Sequence, residues 1–364
     1  MKKFLMVTTI QDTVEAFLIP HIKMLENEGY EVVIATNIYK DIPKDLGKNR
    51  WINIPFSRNP FSLNSFKAIK EMRKVIKSGN FEIVHFHTPV AAFLGRYAAM
   101  REKQKNIIYT AHGFHFFKGA PIQNWCIYYP MELIAARWTD KLLTINEEDY
   151  RNSLKFKLRG NGKCYKVNGV GVDPQKFKKE NISLTDLTNK LRTTEEEFII
   201  LTLAELNENK NQIQILKALK EILEENKNIK YFMAGKGPNK QKLKRYILEN
   251  NLEKNIFLLG QIEKSLIPEL LQLSDLVIST SKREGLGLNI IEAIATKKNV
   301  LATENRGHKE IITNNNFLVE INNSEKLKNK ILDIYIKKLN GIHNVNRFYL
   351  NAVLEKMREI YGEK

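Results

Sequence analysis

Residues 281–293 read Ser-Lys-Arg-Glu-Gly-Leu-Gly-Leu-Asn-Ile-Ile-Glu-Ala, between a strand predicted at Asp275–Thr280 and a helix that begins within the stretch. Its two glycines let the backbone approach a ligand closely, and the amide groups at the start of the helix can receive an anion. Glu284 lies in the loop and Glu292 about one turn into the helix, so both carboxylates can face one site and accept hydrogen bonds from sugar hydroxyls. Taken alone, the stretch fits equally well with Glu284 as a surface residue and Glu292 as a charge favoured by the helix dipole.

Short apolar runs alternate with amphipathic segments on both sides of this stretch. The strands predicted in the first half of the chain are Lys3–Thr8, Glu31–Thr36, Phe81–Phe86, Asn106–Thr110 and Lys141–Ile145. Those predicted in the second half are Phe198–Leu203, Ile229–Ala234, Asn255–Leu259, Asp275–Thr280, Asn299–Ala302 and Phe317–Val319. This alternation predicts an α/β protein with two doubly wound parallel sheets. Ligands of such sheets bind at the carboxyl ends of the strands, so we expect the site in a cleft between two facing domains.

The domain limits follow from a break in this alternation. The segment Asn168–Glu196 is polar and rich in turn residues, and a length of 364 residues also suggests two domains. We therefore predict a first domain over residues 1–175, a second over residues 176–345, and a last segment, 346–364. Within that segment a helix at about Phe348–Tyr361 is expected to pack back on the first domain.

The composition excludes several classes of protein. Hydrophobic residues make up 43% and charged residues 27% of the chain, which is typical of a globular protein with a large core. Cys126 and Cys164 are the only cysteines, so neither a disulfide framework nor a four-thiolate metal site organises the fold, and a reducing cytoplasm fits. Gln11, Asp12 and Glu15 stand where a signal peptide would have its cleavage site, and no apolar run is long enough for a spanning helix.

The chain is strongly basic, with 58 Lys and Arg residues against 41 Asp and Glu, a formal charge of +17. Nucleic acid, acidic lipid and phosphorylated substrates are all possible anionic partners. A helix predicted at Ser65–Lys77 carries much of this charge. Its inward positions are expected to be Phe66, Ile69, Met72 and Ile76, and its outward positions Lys67, Lys70, Lys74 and Lys77. Either a solvated surface helix or a helix docked on an anionic membrane has this pattern.

The stretch at 281–293 resembles the Glu-x7-Glu signature of the retaining glycosyltransferases of family 4, including the glycine pattern Glu-Gly-x-Gly-Leu. The resemblance covers nearly the whole chain, with further matches at Gly169–Phe177, Gly235–Pro238, Phe257–Gly260 and Leu273–Asp275. It implies a GT-B fold, in which two facing Rossmann-like domains with parallel sheets hold a nucleotide-sugar donor mainly on the second domain and an acceptor on the first. No cofactor is implied.

The same resemblance implies roles for individual residues. Glu292 would bind the ribose hydroxyls and Glu284 the donor sugar, while the backbone amides of Gly285, Leu286, Gly287 and Leu288 approach the sugar and diphosphate. Ile262 would border the nucleobase. Lys210 occupies the position of the diphosphate-binding lysine, where a fixed ammonium can stabilise the departing diphosphate. Glu205 stands where the broad family usually has arginine, and Arg283, Lys282 and Arg306 are candidates to offset its charge.

Four histidines follow two neighbouring predicted strands, as His85-x-His87 and His112-x-x-His115. Zinc binding and partly buried structural histidines are both compatible with this spacing, although no cysteine lies nearby. The family resemblance instead implies that His112 contacts the donor sugar, and it leaves His85 and His87 unassigned. No Asp-x-Asp pair occurs in the chain, so we expect a reaction that needs no metal ion.

Three runs narrow the resemblance to bacterial glycosyltransferases of capsule and exopolysaccharide assembly, the EpsD-like branch: Tyr109–Pro121, Glu205–Asn211 and Asn305–Glu310. Glu205 is the expected residue in that branch. The first run and the segment after it carry Phe114, Phe116, Phe117, Trp125, Tyr128 and Tyr129, which can pack in the core or lie at a membrane interface.

Together these features predict a retaining hexosyltransferase, cytoplasmic and peripheral on the inner face of the plasma membrane. It would move a sugar from a nucleotide donor, expected to be a UDP-sugar, to a lipid-linked saccharide acceptor, with an anionic membrane surface as a further partner. Two alternatives remain open from the residues. A nucleotide-sugar epimerase shares the GT-B architecture, and the charge of +17 also suits a basic nucleic-acid-binding protein, although no recognised nucleic-acid-binding motif is present.

Overall fold

The computed structural model describes residues 1–57, 62, 64–177, 191, 193–194, 196–341 and 343–363. The chain forms two compact units. The N-terminal unit comprises Met1–Val170 together with Val353–Lys364, and the C-terminal unit comprises Gly171–Ala352. The domain limits at residues 175 and 345 stay predictions.

The N-terminal unit contains a seven-stranded parallel sheet in the order β3-β2-β1-β4-β5-β6-β7. Its strands are β1 (Lys2–Ile10), β2 (Tyr30–Asn37), β3 (Arg50–Asn53), β4 (Ile83–His87), β5 (Ile107–Ala111), β6 (Lys141–Thr144) and β7 (Lys163–Lys166). Five of them confirm the predicted strands. The two edge strands, β3 and β7, were not predicted, because each has only four residues and neither contains a buried residue.

The C-terminal unit contains a six-stranded parallel sheet in the order β10-β9-β8-β11-β12-β13. Its strands are β8 (Phe198–Leu203), β9 (Ile229–Ala234), β10 (Ile256–Gly260), β11 (Leu276–Ser279), β12 (Asn299–Thr303) and β13 (Leu318–Val319). All six were predicted from the sequence. Because β8 and β11 are neighbours although 72 residues of chain separate them, the loops that follow these two strands meet at one edge of the sheet.

Helices connect the strands of both sheets. The described helices of the N-terminal unit are α1 (Gln11–Thr13), a π-helix at Val14–Leu18, α2 (Ile19–Asn27), α3 (Asn64–Gly79), α4 (Pro89–Arg101), α5 (Ile122–Ala136) and α6 (Glu147–Ser153). Those of the C-terminal unit are α7 (Gln212–Glu225), α8 (Lys240–Glu249), α9 (Ile267–Leu273), α10 (Leu288–Ala295), α11 (Arg306–Ile311) and α12 (Ser324–Lys337), and α13 (Leu350–Gly362) ends the chain. In the described part of the chain, no helix is both long enough and apolar enough to cross a membrane.

Helix α3 corrects one expectation from the sequence. Phe66 was predicted to point inward but is 78% exposed, whereas Ser65, Ala68, Met72 and Ile76 are buried. Successive residues of an α-helix are about 100° apart around its axis. Ser65 therefore points close to the mean direction of Ile69, Met72 and Ile76, whereas Phe66 points roughly 90° away from that direction. The outward lysines of the prediction are all exposed.

The C-terminal helix α13 packs on the N-terminal unit, as predicted. The hydroxyl of Tyr361 lies 2.9 Å from Nδ1 of His85 in β4, and its ring packs edge-on against Phe4 of β1. Lys141 of β6 donates from Nζ to the carbonyl oxygen of Ile360 at 2.5 Å. These contacts fix the last turns of α13 against three strands of the N-terminal sheet.

Candidate functional site

Two loops at the carboxyl edge of the C-terminal sheet are hydrogen-bonded to each other. The amide of Lys282 donates to the carbonyl oxygen of Asn209 at 2.7 Å, and Nδ2 of Asn209 donates to the carbonyl oxygen of Arg283 at 3.0 Å. The hydroxyl of Thr280 at the end of β11 donates to the carbonyl oxygen of Lys210 at 3.1 Å. These bonds join the loop after β8 to the loop after β11 and bring their charged side chains together.

Lys210 and Glu284 form an ion pair between the two loops, with Nζ of Lys210 donating to Oε1 of Glu284. Both side chains are largely buried, with 23% and 15% of their surface exposed. Burial alone would raise the pKa of the Glu284 carboxyl, but Lys210, His308 and Ser281 together outweigh burial and lower that pKa below its ordinary value. The pair is therefore an ionised carboxylate beside a fixed ammonium, which can hold a hydroxyl-bearing ligand next to an anionic one.

The backbone turns sharply into helix α10 directly after this pair. Gly287, the residue before the helix, has a φ of 104°, and a Cβ atom there would lie 2.9 Å from Cδ2 of His308. His308 is fully buried, and its Nδ1 lies 2.8 Å from the carbonyl oxygen of Thr303. The ring thus supports the residue that begins the helix, where amide groups and the helix dipole favour an anion.

Gly285, Leu286, Gly287 and Leu288 lie at this turn, with Leu286 only 4% exposed. Arg283 precedes them, in contact with Asn209 through its carbonyl oxygen. The sequence did not lead us to predict that His308 supports Gly287. Its signal in the sequence is the run Asn305-Arg306-Gly307-His308, in which the Asn305 side chain caps α11 by accepting bonds from the amides of Gly307 and His308.

Glu292 lies in the second turn of α10, in a different electrostatic environment from Glu284. Burial raises the pKa of the Glu292 carboxyl to about 7, and the positive charges of Lys176 and Lys264 only partly oppose this rise. Within the described residues, no group donates a hydrogen bond to this carboxylate. Glu292 is thus a partly buried acceptor without a partner of its own.

The remaining predicted donor-binding residue, Ile262, follows a strand that is adjacent to neither β8 nor β11, the strands before the two loops of the ion pair. It is half-exposed and follows β10, the edge strand, so two strands stand between it and β11. At ~4.8 Å per strand, the end of β10 lies about 14 Å from the end of β11. A ligand that contacts both Ile262 and the loop after β11 would have to be extended along the edge of the sheet.

Glu205, the position that departs from the broad family, is exposed. Its carbonyl oxygen accepts a hydrogen bond from Nε2 of Gln212 at 2.8 Å. None of the described lysines or arginines forms an ion pair with its carboxylate, so the structure assigns no cation to offset it.

In the N-terminal unit, His85, His87 and His112 lie together where β4 and β5 end. The rings of His85 and His87 are 4.1 Å apart between centroids, and Nδ1 of His87 lies 3.0 Å from Nε2 of His112. Burial lowers the pKa of His85 and His87 well below the ordinary value and that of His112 to about 4. His115 is apart from this group and stacks on Tyr128. Within the described ranges, no three His, Cys, Asp or Glu side chains are grouped as metal ligands would be.

Two family profiles match the chain along most of its length. "Glycosyl transferase 4-like" matches residues 7–146, and "Glycosyl transferases group 1" matches residues 185–346. The putative glycosyltransferase EpsD of Bacillus subtilis is 36% identical, over 99% of this chain and 96% of that protein. An Escherichia coli UDP-Gal:alpha-D-GlcNAc-diphosphoundecaprenol alpha-1,3-galactosyltransferase is 27% identical, over 84% of this chain and 81% of that protein.

The fold has solved counterparts. Anabaena HepE, crystallised in complex with UDP and glucose, superposes with a TM-score of 0.81 at 17% identity, covering 99% of both chains. The architecture is therefore GT-B. The chain belongs to the group 1, family-4-like glycosyltransferases, in the same family as EpsD. It is an enzyme of glycosyl transfer, as the sequence predicted.

Proposed function

We propose that this glycosyltransferase moves a sugar from a UDP-sugar to a hydroxyl group of a lipid-linked saccharide, in the biosynthesis of a capsule, an exopolysaccharide or another cell-surface glycan. The observation that carries the proposal is the ion pair of Lys210 and Glu284 beside the first turn of α10. It offers an acceptor for sugar hydroxyls and two sources of positive potential for a diphosphate. The name of the Escherichia coli relative supports a diphosphate-linked lipid acceptor.

The proposed reaction retains the anomeric configuration. The acceptor oxygen bonds to the anomeric carbon on the face from which the diphosphate leaves, the bond from that carbon to the diphosphate oxygen breaks, and the acceptor proton passes to the departing diphosphate. Lys210 and the amides of Gly287 and Leu288 stabilise the negative charge that develops on the diphosphate. Glu284 binds the sugar hydroxyls. With these groups in place, no step requires a divalent metal ion.

Glu292 gives the proposal a pH-dependent test. A carboxylate that accepts hydrogen bonds from both ribose hydroxyls must be ionised, and its pKa of about 7 means that it is mostly protonated at pH 6. We therefore expect calorimetry to show UDP-glucose binding about tenfold more weakly at pH 6 than at pH 8. The diphosphate diester of UDP-glucose does not titrate in this range.

The matched variants are Glu292→Gln and Glu249→Gln, an exposed carboxylate of α8. Glu292→Gln should weaken binding at pH 8 and remove the difference between the two pH values, whereas Glu249→Gln should keep both. Binding by Glu292→Gln with the same affinity and pH dependence as the wild type would remove Glu292 from the nucleotide site. Release of UDP only in the presence of a saccharide acceptor would distinguish transfer from epimerisation.

The proposed anionic membrane partner is supported by two helices of the N-terminal unit. Lys67, Lys70 and Lys77 of α3 are exposed, and none of them pairs with an acidic side chain in the described part of the chain. Helix α5 exposes Ile122, Ile127 and Ile134, while its one charged residue, Glu132, is buried against Arg96 at 2.7 Å. Helix α4 packs against both α3 and α5. A basic helix and an apolar helix face, both packed on α4, suit the interface of an anionic bilayer.

Vesicle sedimentation tests this partner. The triple variant Lys67→Gln, Lys70→Gln, Lys77→Gln should bind vesicles of phosphatidylcholine with 30% phosphatidylglycerol roughly 100-fold more weakly than the wild type, at ~1 kcal/mol per lysine. The matched triple variant Lys217→Gln, Lys220→Gln, Lys227→Gln removes three exposed lysines from the C-terminal unit and should bind normally. Equal loss in both variants would mean that only the total charge matters and would contradict this docking surface.

A further inference from the structure

A buried chain of hydrogen bonds joins Met6 of β1 to His112 through His87. Nε2 of His87 lies 3.1 Å from Sδ of Met6, and Nδ1 of His87 lies 3.0 Å from Nε2 of His112. Met6 is fully buried and His87 is 4% exposed. The centroids of the His87 and His112 rings are 5.3 Å apart, and the two ring planes are within 25° of parallel. The family resemblance gave neither Met6 nor His87 a role.

The Met6 sulfur determines which ring nitrogen carries the proton in His87 and, through His87, in His112. A thioether has no hydrogen to donate, so the close contact with Met6 requires the proton of His87 to be on Nε2. A neutral His87 then has a lone pair on Nδ1, and the hydrogen bond to His112 requires the proton of His112 to be on Nε2. Burial keeps both rings neutral, because it lowers the pKa of each.

Nδ1 of His112 is consequently an unprotonated acceptor. His112 is only partly buried, and no group in the described residues donates a hydrogen bond to this nitrogen. Since its Nε2 is already occupied by His87, the only hydrogen-bonding position that the His112 ring offers to a ligand is this lone pair.

We propose that Met6 and His87 are positioning residues that hold His112 in the Nε2–H tautomer, so that its Nδ1 accepts a hydrogen bond from a carbohydrate hydroxyl of the substrate. The identity of the ligand group rests on the proposed function, whereas the tautomer does not. The arrangement makes His112 selective, because a lone pair binds a hydroxyl donor and repels a group that can only accept, such as a phosphate oxygen.

Long-range proton–nitrogen correlation spectra of the ligand-free, full-length protein test the tautomer directly. The chain has only seven histidines, and single His→Gln variants assign their signals. We expect the Nε2–H pattern for His112 in the wild type. An Nδ1–H pattern for His112 would overturn the proposal, and this result needs no variant and no substrate.

Three variants then test the positioning. His87→Leu removes the acceptor and Met6→Leu removes the sulfur, so both should convert the single Nε2–H pattern of His112 into a mixture of tautomers. His87→Asn can place its side-chain oxygen near the position of Nδ1 and should restore the Nε2–H pattern. An unchanged His112 pattern in His87→Leu would overturn the role of His87, and an unchanged pattern in Met6→Leu would overturn that of Met6.

The ligand group has a separate readout, the ratio of the dissociation constants of UDP-glucose and UDP, which isolates the contribution of the sugar. His87→Leu should shift this ratio about tenfold against UDP-glucose, and His87→Asn should leave it near the wild-type value. A changed tautomer with an unchanged ratio would overturn the sugar contact while the positioning stands. Failure of both nucleotides to bind the wild type would instead contradict the proposed function.

Discussion

Replacing Lys210 by alanine is expected to lower the rate of sugar transfer by about 100-fold or more. Departure of a nucleoside diphosphate builds negative charge on its oxygen atoms, and in the proposed mechanism Lys210 stabilises that charge. Its Nζ is bonded to Glu284, and its carbonyl oxygen is bonded to the hydroxyl of Thr280. An ammonium that is already oriented stabilises the transition state without reorganisation, so its loss should appear mainly in kcat.

The control for Lys210→Ala is Lys242→Ala, which removes an exposed lysine that pairs with Glu208 on the same unit. It should leave turnover within about twofold of the wild type, since exposed ion pairs contribute little. The double variant of Lys210→Ala with Glu284→Gln sharpens the test. Because the two side chains act as one pair, the fall in turnover of the double variant should be far smaller than the product of the falls in the two single variants. Near-normal turnover of Lys210→Ala would remove this residue from the mechanism.

The strands were predictable wherever a strand is buried on both faces. Phe198–Leu203 and Ile229–Ala234 have the predicted limits, because each is apolar at every position but one, Thr202 in the first and Lys230 in the second. The edge strand Lys163–Lys166 has the sequence Lys-Cys-Tyr-Lys, which carries no such signal. Pairing with β6, rather than local preference, makes it a strand.

The site was predictable only in part, because its residues come from separate regions of the chain. The resemblance marked both Lys210 and Glu284, but their ion pair depends on β8 and β11 being neighbours in the sheet. The contact of Met6 with His87 likewise depends on the pairing of β1 with β4. The high pKa of Glu292 follows from burial, which the sequence of α10 alone does not reveal.

Replacing Gly235 by alanine is expected to lower the free energy of unfolding of the C-terminal unit by at least ~3 kcal/mol. Only a few mechanisms cause so large a loss, and forced backbone movement is one of them. A Cβ atom at this position would lie 1.9 Å from the carbonyl oxygen of Ala204, and the φ of 152° is one that side chains rarely adopt. The neighbouring backbone cannot yield easily, because the amide of Gly235 donates to Gly260 at 2.7 Å and that of Ala204 to Ala234 at 3.1 Å.

Gly260→Ala is the matched control for Gly235→Ala, since Gly260 also has a positive φ, of 74°, but a Cβ atom there meets nothing within 4 Å. Gly260→Ala should lower the free energy of unfolding only by the strain of an alanine at positive φ, about 1 to 2 kcal/mol. Thermal unfolding followed by calorimetry should therefore show a much larger fall in the melting temperature for Gly235→Ala. The loop that starts at Ala204 carries Lys210, so any Gly235→Ala protein that folds should also bind UDP-glucose more weakly. Equal melting temperatures for the two variants would mean that the strand ends at Ala204 and Gly235 can separate freely, and the close packing that positions Lys210 would then be wrong.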